Sequence, residues 1–421
     1  MRQTHAWILA ILAALAILAY LPVLQQPLLE DDYPNLEQAR IYGPASGWHE
    51  MLASPVFRYR ATFYVLTHWL DAAFGPSAAA FYCAGILLHI LCTWLVYALG
   101  TWRVIGWRIS SVAAGFFAVA EGHQEAIMWY SASSELLMFL FGMVALLCWI
   151  RFMRRQGGAR WYAASLAAFV LALLSKESAV VLPVLLALPM WATRYKKRPT
   201  ALWLPFAALA ALDIWLIYGD RANSFRFHDG SFSLSAPFWI TLPVSCIRLL
   251  WIWGLASALF VTLLHIKQYR RLFVIAAVWI VVALLPYSFL TYMHRIPSRQ
   301  TYLASVAVAW IVAAGFWTVF ARLRLHRRAM IAAVIAIVLG VNIGYLWTKK
   351  RRQFLDRAAP TEALIAIARK TDGPIYMRCY PVPPIVYEAA VRVRTGKSES
   401  ILVWDAPRAK PAAVEFCWGK R

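Results

Sequence analysis

Negative charge is what this chain has least of. Asp and Glu number 20 against 42 Lys and Arg in 421 residues, and charged residues make up only 15% of the whole. So little charge excludes a free-standing soluble domain. Polar–apolar alternation is missing too. Apolar residues come in unbroken blocks of roughly 17–25, long enough to span a bilayer, which excludes a β-barrel. No glycine-rich phosphate cradle, Rossmann fingerprint or Ser/His/Asp order occurs, so a nucleotide-sugar or ATP site is not expected. Four of the six cysteines (Cys83, Cys92, Cys148, Cys246) fall in apolar runs, where a small buried side chain is the ordinary reading. Internal repeats are absent as well.

What remains is an all-α polytopic membrane protein. Eleven transmembrane helices are expected, near 5–24, 79–100, 109–120, 134–151, 160–174, 178–193, 200–218, 238–263, 272–290, 300–320 and 329–347. Basic and acidic loops alternate between them. The basic set runs from Arg103 and Arg108 through Arg151 to Arg160, Arg194 to Arg198 and Lys267 to Arg271, ending at Arg322 to Arg328. The acidic set includes Glu30, Asp31, Asp32, Glu121, Glu125, Glu177 and Asp229. The positive-inside rule puts the basic loops and the N-terminus in the cytoplasm, and the acidic loops outside the inner (plasma) membrane. Topology thus accounts for the net charge of +22, and no nucleic-acid partner is expected.

The chain divides into a membrane domain, 1–348, and a small extracytoplasmic C-terminal domain, 349–421. In the latter, DGPIYMRCY and ESILVWD read as two strands flanking a helix in PPIVYEAAVRV, a small α/β appendage. Cys379 and Cys417 are candidates for a disulfide in that oxidising compartment. The cluster Lys349, Lys350, Arg351 and Arg352 is expected to meet anionic lipid headgroups on the outer side.

Reactive side chains gather on the outer side. The first outer loop, 25–78, opens with the three adjacent carboxylates Glu30, Asp31 and Asp32, then continues through an aromatic stretch with Arg58, Arg60 and His68 that suits interfacial helices. In AEGHQEAIMWYSASSE, Glu121 and Glu125 share a helical face and are the candidates for a divalent metal, with His123 between them. ALLSKESAVVLP places Lys176 and Glu177 between apolar runs too short to reach the surface, an ionisable pair at membrane depth. The alternative is that the two simply neutralise one another. TYMHRIPSRQTYLAS brings His294, Arg295 and Arg299 to the outer end of a helix, with Tyr292 and Tyr302 nearby. Arginine's planar fork suits a phosphate, and the phosphate within reach of an outward membrane-level site is a lipid's.

These stretches resemble GT-C-type glycosyltransferases, and within them the protein O-mannosyltransferase-like branch. Asp31-Asp32 is similar to the family's first-loop acidic motif, and YRAT (59–62) to its YRPL/T segment. ILLHILCTWLVYAL carries a histidine, His89, in the family's place. EGHQEAIMWYSASSELL resembles HPxHxEAVxWIxGRxDLL through His123, Glu125 and Trp129, although Glu121-Gly122 replaces His-Pro and Ser133 replaces Arg. LLSKESAVVLP fits SKExAxxLP, and RQTYLAS resembles RYLYLPS through Arg299 and Tyr302. The tetratricopeptide array of the eukaryotic relatives is missing.

The resemblance implies a GT-C fold and an inverting mannosyltransferase-like transfer. A single sugar would pass from a polyprenyl phosphate such as undecaprenyl phosphate to a hydroxyl of a protein, glycan or lipid of the cell envelope. It implies a first-loop carboxylate as general base, assigned to Asp31 with Asp32 orienting the acceptor or exchanging that role; Glu30 is left as a bystander. Arg299, Lys176 and Arg295 would hold the lipid phosphate. Arg60, His123, Glu125, Glu177, Tyr302 and His294 would contact substrate. No cofactor is required, because lysine and arginine can carry the phosphate charge. Membrane lipids are the remaining partners. The competing readings are a transporter or flippase of lipid-linked sugars and a non-catalytic scaffold.

Overall fold

The computed structural model describes residues 2–154, 158–192, 200–222, 230–264, 266–291, 294–322, 327–404 and 414–419. Tyr292, Asp229, Arg155, Arg194, Arg198 and Arg324 lie outside the described residues.

Helices form at all eleven expected places. They are α1 (Arg2–Tyr20), α4 (Ala78–Ala98), α5 (Gly106–Val119), α6 (Ser133–Met153), α7 (Ala159–Leu173), α8 (Leu182–Ala192), α9 (Thr200–Gly219), α10 (Phe238–Leu263), α11 (Arg270–Leu284), α12 (Tyr302–Arg322) and α13 (Arg327–Tyr345). The first loop adds α2 (Asp32–Tyr42) and α3 (Ala61–Phe74), and the C-terminal segment adds α14 (Arg351–Lys370) and α15 (Pro384–Thr395). Among the described residues, eight helices are long and apolar enough to cross a membrane; α5, α7 and α8 are shorter.

Burial sorts these helices. In the apolar stretch containing α12, 72% of residues are buried, and in that of α6, 67%, whereas for α9 and α13 the share is 11%. The first two form the centre, and the others turn their apolar surface to lipid. Centrality follows from composition. α12 places Ala304, Ala307, Ala313, Ala314 and Gly315 inward, and small residues let helix backbones approach closely. A β-carbon at Gly315 would stand 2.5 Å from the β-carbon of Ser257 on α10.

α13 continues through a π-helical turn, Leu346–Lys350, into α14, giving an unbroken helix over Ala329–Lys370. At 1.5 Å per residue its 42 residues reach about 63 Å, roughly twice a hydrocarbon core, so α14 projects beyond the membrane. The division expected at 348/349 therefore falls inside a helix. Beyond it, strands β1 (Ile375–Cys379), β2 (Leu402–Val403) and β3 (Val414–Cys417) form a parallel sheet in the order β2-β1-β3. Leu364, Tyr387, Val391 and Phe416 give this segment a core of its own. The two expected strands and the helix between them are present, β3 is an addition, and Cys379 is bonded to Cys417.

The C-terminal segment is clasped to the first loop. Arg392 donates to both carboxylate oxygens of Glu37 at 2.6 and 2.7 Å, Arg357 grips Glu30 in the same way, and Tyr33 donates to Glu362 at 3.0 Å. Arg351 reaches Gln25 at 2.9 Å. The first loop and the tail therefore share one side of the membrane. Replacing Gly315 by Ala should cost about 1–3 kcal/mol, because the helix pair must separate. The same change at Gly340, where a β-carbon meets nothing within 4 Å, should be neutral or slightly stabilising. Thermal unfolding of the two variants in detergent checks the contrast.

Candidate active site

The three adjacent carboxylates have three separate fates. Glu30 is in the left-handed region at φ 34°, a conformation that disfavours a β-carbon by about 1–2 kcal/mol, and it turns the chain sharply into α2. Its carboxylate is held by Arg357 at 2.6 and 3.1 Å, so Glu30 is a tether and the expectation of a bystander is corrected. Asp32 is 2% exposed. One of its oxygens accepts from the Ser131 amide at 2.7 Å and hydroxyl at 2.6 Å, and the other from the Leu29 amide at 2.8 Å. Burial pushes the Asp32 carboxyl up to about 7, against the pull of those three donors. Asn35 donates to Ser131 at 3.0 Å and accepts from Tyr64 at 3.3 Å, extending the network.

Asp31 is exposed, and its carboxyl accepts no hydrogen bond among the described residues. Although the side chain is exposed, the surrounding protein partly desolvates it. That desolvation is the first cause of its raised pKa and Glu30 the second, opposed by Arg60, Arg299 and Arg357. The three arginines come from three separate segments. Arg299 and Arg357 flank the same indole, 4.7 and 4.6 Å from the ring centre of Trp129. The Arg299 amide donates to Glu125 at 3.2 Å.

Beside this cleft lies a second cluster around a cavity of about 90 Å³, lined by Glu121, Gln124, Arg248, Trp251, Ser298 and Asn342 among others. Arg248 projects from α10 within reach of Arg295, Glu121 and Glu125. α10 breaks its helical geometry at Trp251, φ 46°, on the cavity wall. Burial raises the Glu121 carboxyl, offset by Lys350, Arg248 and Lys349. Lys349 and Lys350 thus face carboxylates of the site, a role beyond the headgroup contact expected of them. Among the described residues no group of three or more His, Cys, Asp or Glu side chains gathers as a metal site would. The two metal candidates are otherwise engaged, Glu121 with these cations and Glu125 with the Arg299 amide.

Several expected residues sit elsewhere. Lys176, 5% exposed, has its amine 3.4 Å from Glu135. Glu135 in turn accepts from Tyr287 at 2.9 Å, so Lys176 belongs to a buried ion pair, and its assignment to the lipid phosphate is corrected. Glu177 lies near Asp213. Tyr302 and His123 are 1% exposed and pack together at 4.5 Å between ring centres. The Tyr302 hydroxyl is spent on His89 at 2.6 Å, so its expected substrate contact is corrected to a core role. His123 borders the cavity, bonds Ser305 at 2.7 Å, and is held neutral by burial, which pushes its pKa well below the ordinary value. Arg60, Arg299 and Asp31 do converge, while His294 is exposed. Sequence reasoning missed Arg248, Glu135 and Arg357. Arg248 left a signal, a lone cation inside a 26-residue apolar helix. Arg357 left none.

No family model and no curated protein matches the sequence. Solved structures do match in fold. A crystal structure of the Archaeoglobus fulgidus oligosaccharyltransferase, tethered to an acceptor peptide containing the NVT sequon, superposes with a TM-score of 0.51 at 12% identity, over 94% of this chain and 63% of that one. ArnT from Cupriavidus metallidurans, bound to undecaprenyl phosphate, superposes with a TM-score of 0.53 at 16% identity, over 92% of this chain and 85% of that one. The chain spans 63% of the length of the oligosaccharyltransferase it resembles. At these identities the likeness is one of fold, and the chain has the GT-C fold of a multi-pass membrane protein.

The two aspartates should respond differently to the same substitution. In Asp32→Asn an amide nitrogen would face backbone N–H donors, so thermal unfolding should show a loss of about 1–3 kcal/mol. Asp31→Asn breaks no hydrogen bond and should unfold like the parent.

Proposed function

We propose that the chain is a membrane glycosyltransferase that moves a single sugar from a polyprenyl-phosphate carrier to an acceptor hydroxyl on the extracytoplasmic face of the inner membrane. The observation that carries this reading is Asp31, a carboxyl that accepts no hydrogen bond among the described residues and faces three arginines. Its neighbour Asp32 is spent on structure. Asp31 takes the acceptor's proton as the oxygen forms its bond to the anomeric carbon; the bond from that carbon to the phosphate oxygen breaks on the opposite side, with inversion. A positioned base of this kind typically contributes about 10²–10⁴-fold.

The leaving phosphate needs surplus positive charge. Around Asp31, three carboxylates face three guanidiniums and leave none. Around the cavity, Arg248, Arg295, Lys349 and Lys350 gather with Glu121 and Glu125, so among these described residues the cations are in excess. The second cluster therefore suits the phosphate, with Arg299 at the junction and Arg248 in the place first given to Lys176. Gln124 and Asn342 on its wall suit sugar hydroxyls. The neighbour bound to undecaprenyl phosphate supports a polyprenyl-phosphate donor, and the ordered motifs support the O-mannosyltransferase-like branch.

Native mass spectrometry of the gently purified protein should find a polyprenyl phosphate carrying one sugar. A lipid-linked oligosaccharide would favour the flippase reading instead, and ordinary phospholipid alone the scaffold. Arg248→Ala should lose undecaprenyl phosphate binding, whereas Arg322→Ala should keep it; equal effects would remove Arg248 from the site. Asp31→Asn should lose transfer by at least about 10²-fold without unfolding.

The pH dependence follows from Asp31. A base works as the carboxylate, and desolvation raises the pKa of this one. Transfer should therefore rise with pH through a midpoint above that of an ordinary aspartate and then level off. A rate independent of pH down to the ordinary aspartate range would contradict the assignment.

A further inference from the structure

One cation in the cleft belongs to neither the membrane helices nor the first loop. Resting on the reading of Asp31 as base, we propose that Arg357, carried on α14 from the C-terminal segment, completes the catalytic cleft: Glu30 latches it over Trp129, and from there it governs the carboxylate of Asp31. Arg357 is a positioning residue, since it acts through Asp31.

Three observations point to this role. The first is redundancy. A partly exposed ion pair contributes about 0–1 kcal/mol, and Glu37–Arg392 and Tyr33–Glu362 already clasp the same surfaces, so docking does not require Glu30–Arg357. The second is placement. The Arg357 guanidinium lies 4.6 Å from the ring centre of Trp129, and Arg299 lies 4.7 Å from the same ring. Two like charges on one indole repel unless anions face them. Glu30, Asp31, Asp32 and Glu125 do so. Of these, Glu30 is held by Arg357 itself, Asp32 by three donors and Glu125 by the Arg299 amide. The Asp31 carboxyl accepts no hydrogen bond among the described residues.

The third is mechanical. Glu30 sits next to Asp31 in a left-handed turn, and Arg357 belongs to a helix that runs unbroken from the membrane. The latch thus joins the acidic turn to a rigid rod. The groups facing Asp31 are then Glu30, which raises its pKa, and Arg60, Arg299 and Arg357, which lower it; Asp32 is the adjacent carboxyl. Removing Arg357's charge must raise the Asp31 pKa, whereas removing Glu30's charge lowers it directly and, by freeing Arg357, raises it in part. A latch therefore makes the effect of Glu30 depend on whether Arg357 is present, and a merely structural tie does not.

The full-length protein in lipid nanodiscs is treated with a water-soluble carbodiimide and glycine ethyl ester across pH, and labelling at Asp31 is located by peptide fragmentation. Carbodiimide attacks the protonated carboxyl, so this reads the titration of Asp31 without any substrate. Arg357→Ala should keep Asp31 reactive to higher pH than the parent. Glu30→Gln should move its reactivity to lower pH by more in the Arg357→Ala background than in the parent, and Arg357→Lys should lie close to the parent. An unshifted Arg357→Ala profile, or the same Glu30→Gln shift in both backgrounds, would overturn the latch. Arg357→Ala should also slow transfer by about 10²-fold, the scale of a misplaced catalytic group. That dependence of the Glu30 effect on Arg357, in a parent that retains no undecaprenyl phosphate, would uphold the latch while removing the transferase reading.

Discussion

The site depends on a buried carboxylate. Asp32 gives up water, a cost of several kcal/mol for an ionised group, and recovers it from the Leu29 amide and from both donors of Ser131. Those donors lie in two different loops, so the anchor fixes the first loop against the loop after α5. With Asp32 turned inward, the chain geometry leaves Asp31 facing the cleft. The left-handed turn at Glu30 sends the third carboxylate toward α14. Three adjacent acids would repel one another in a single environment; here they occupy three, which is how so costly a sequence is tolerated.

The same principle governs charges deeper in the protein. Lys176 and Glu135 are both nearly inaccessible and face one another, with Tyr287 completing the carboxylate's hydrogen bonds. A buried pair of this kind contributes little net stability against an apolar alternative, but removing one member is costly. Its presence beneath the site ties α6 to the Lys176 turn and to the end of α11. The cluster around Arg248 differs, because its cations outnumber its carboxylates and the cavity beside it is open to a ligand.

Much of the fold was legible. Continuous apolar runs specify helices, and one forms at each of the eleven places, eight of them long and apolar enough to cross a membrane. The strand–helix–strand pattern of the tail was legible through its alternation, as was the pairing of Cys379 with Cys417. Of the proposed site, what was legible is the grouping of Asp31, Arg60 and Arg299, which local chemistry announces and which the structure brings near one another. Lys176 misled because an intramembrane lysine signals function or a hidden partner equally well, and its partner Glu135 lies 41 residues away in sequence. Tyr302 misled because a motif position carries no statement of burial. Arg357 was beyond reach, because its role comes from a contact 327 residues distant.

The proposed reading of Asp31 as base poses a difficulty of its own. Three guanidiniums at close range would hold an ordinary aspartate so firmly ionised that it became a weak proton acceptor. Desolvation and Glu30 work against them, and the balance leaves the Asp31 pKa above its ordinary value. Desolvation is therefore part of the chemistry, since a wetter site with the same charges would lose what outweighs the arginines. Glu30 enters twice, once by raising its neighbour directly and once by holding Arg357 where it lowers it. The strained turn that places Glu30 is justified by that double contact, which an extended backbone at this residue would not give.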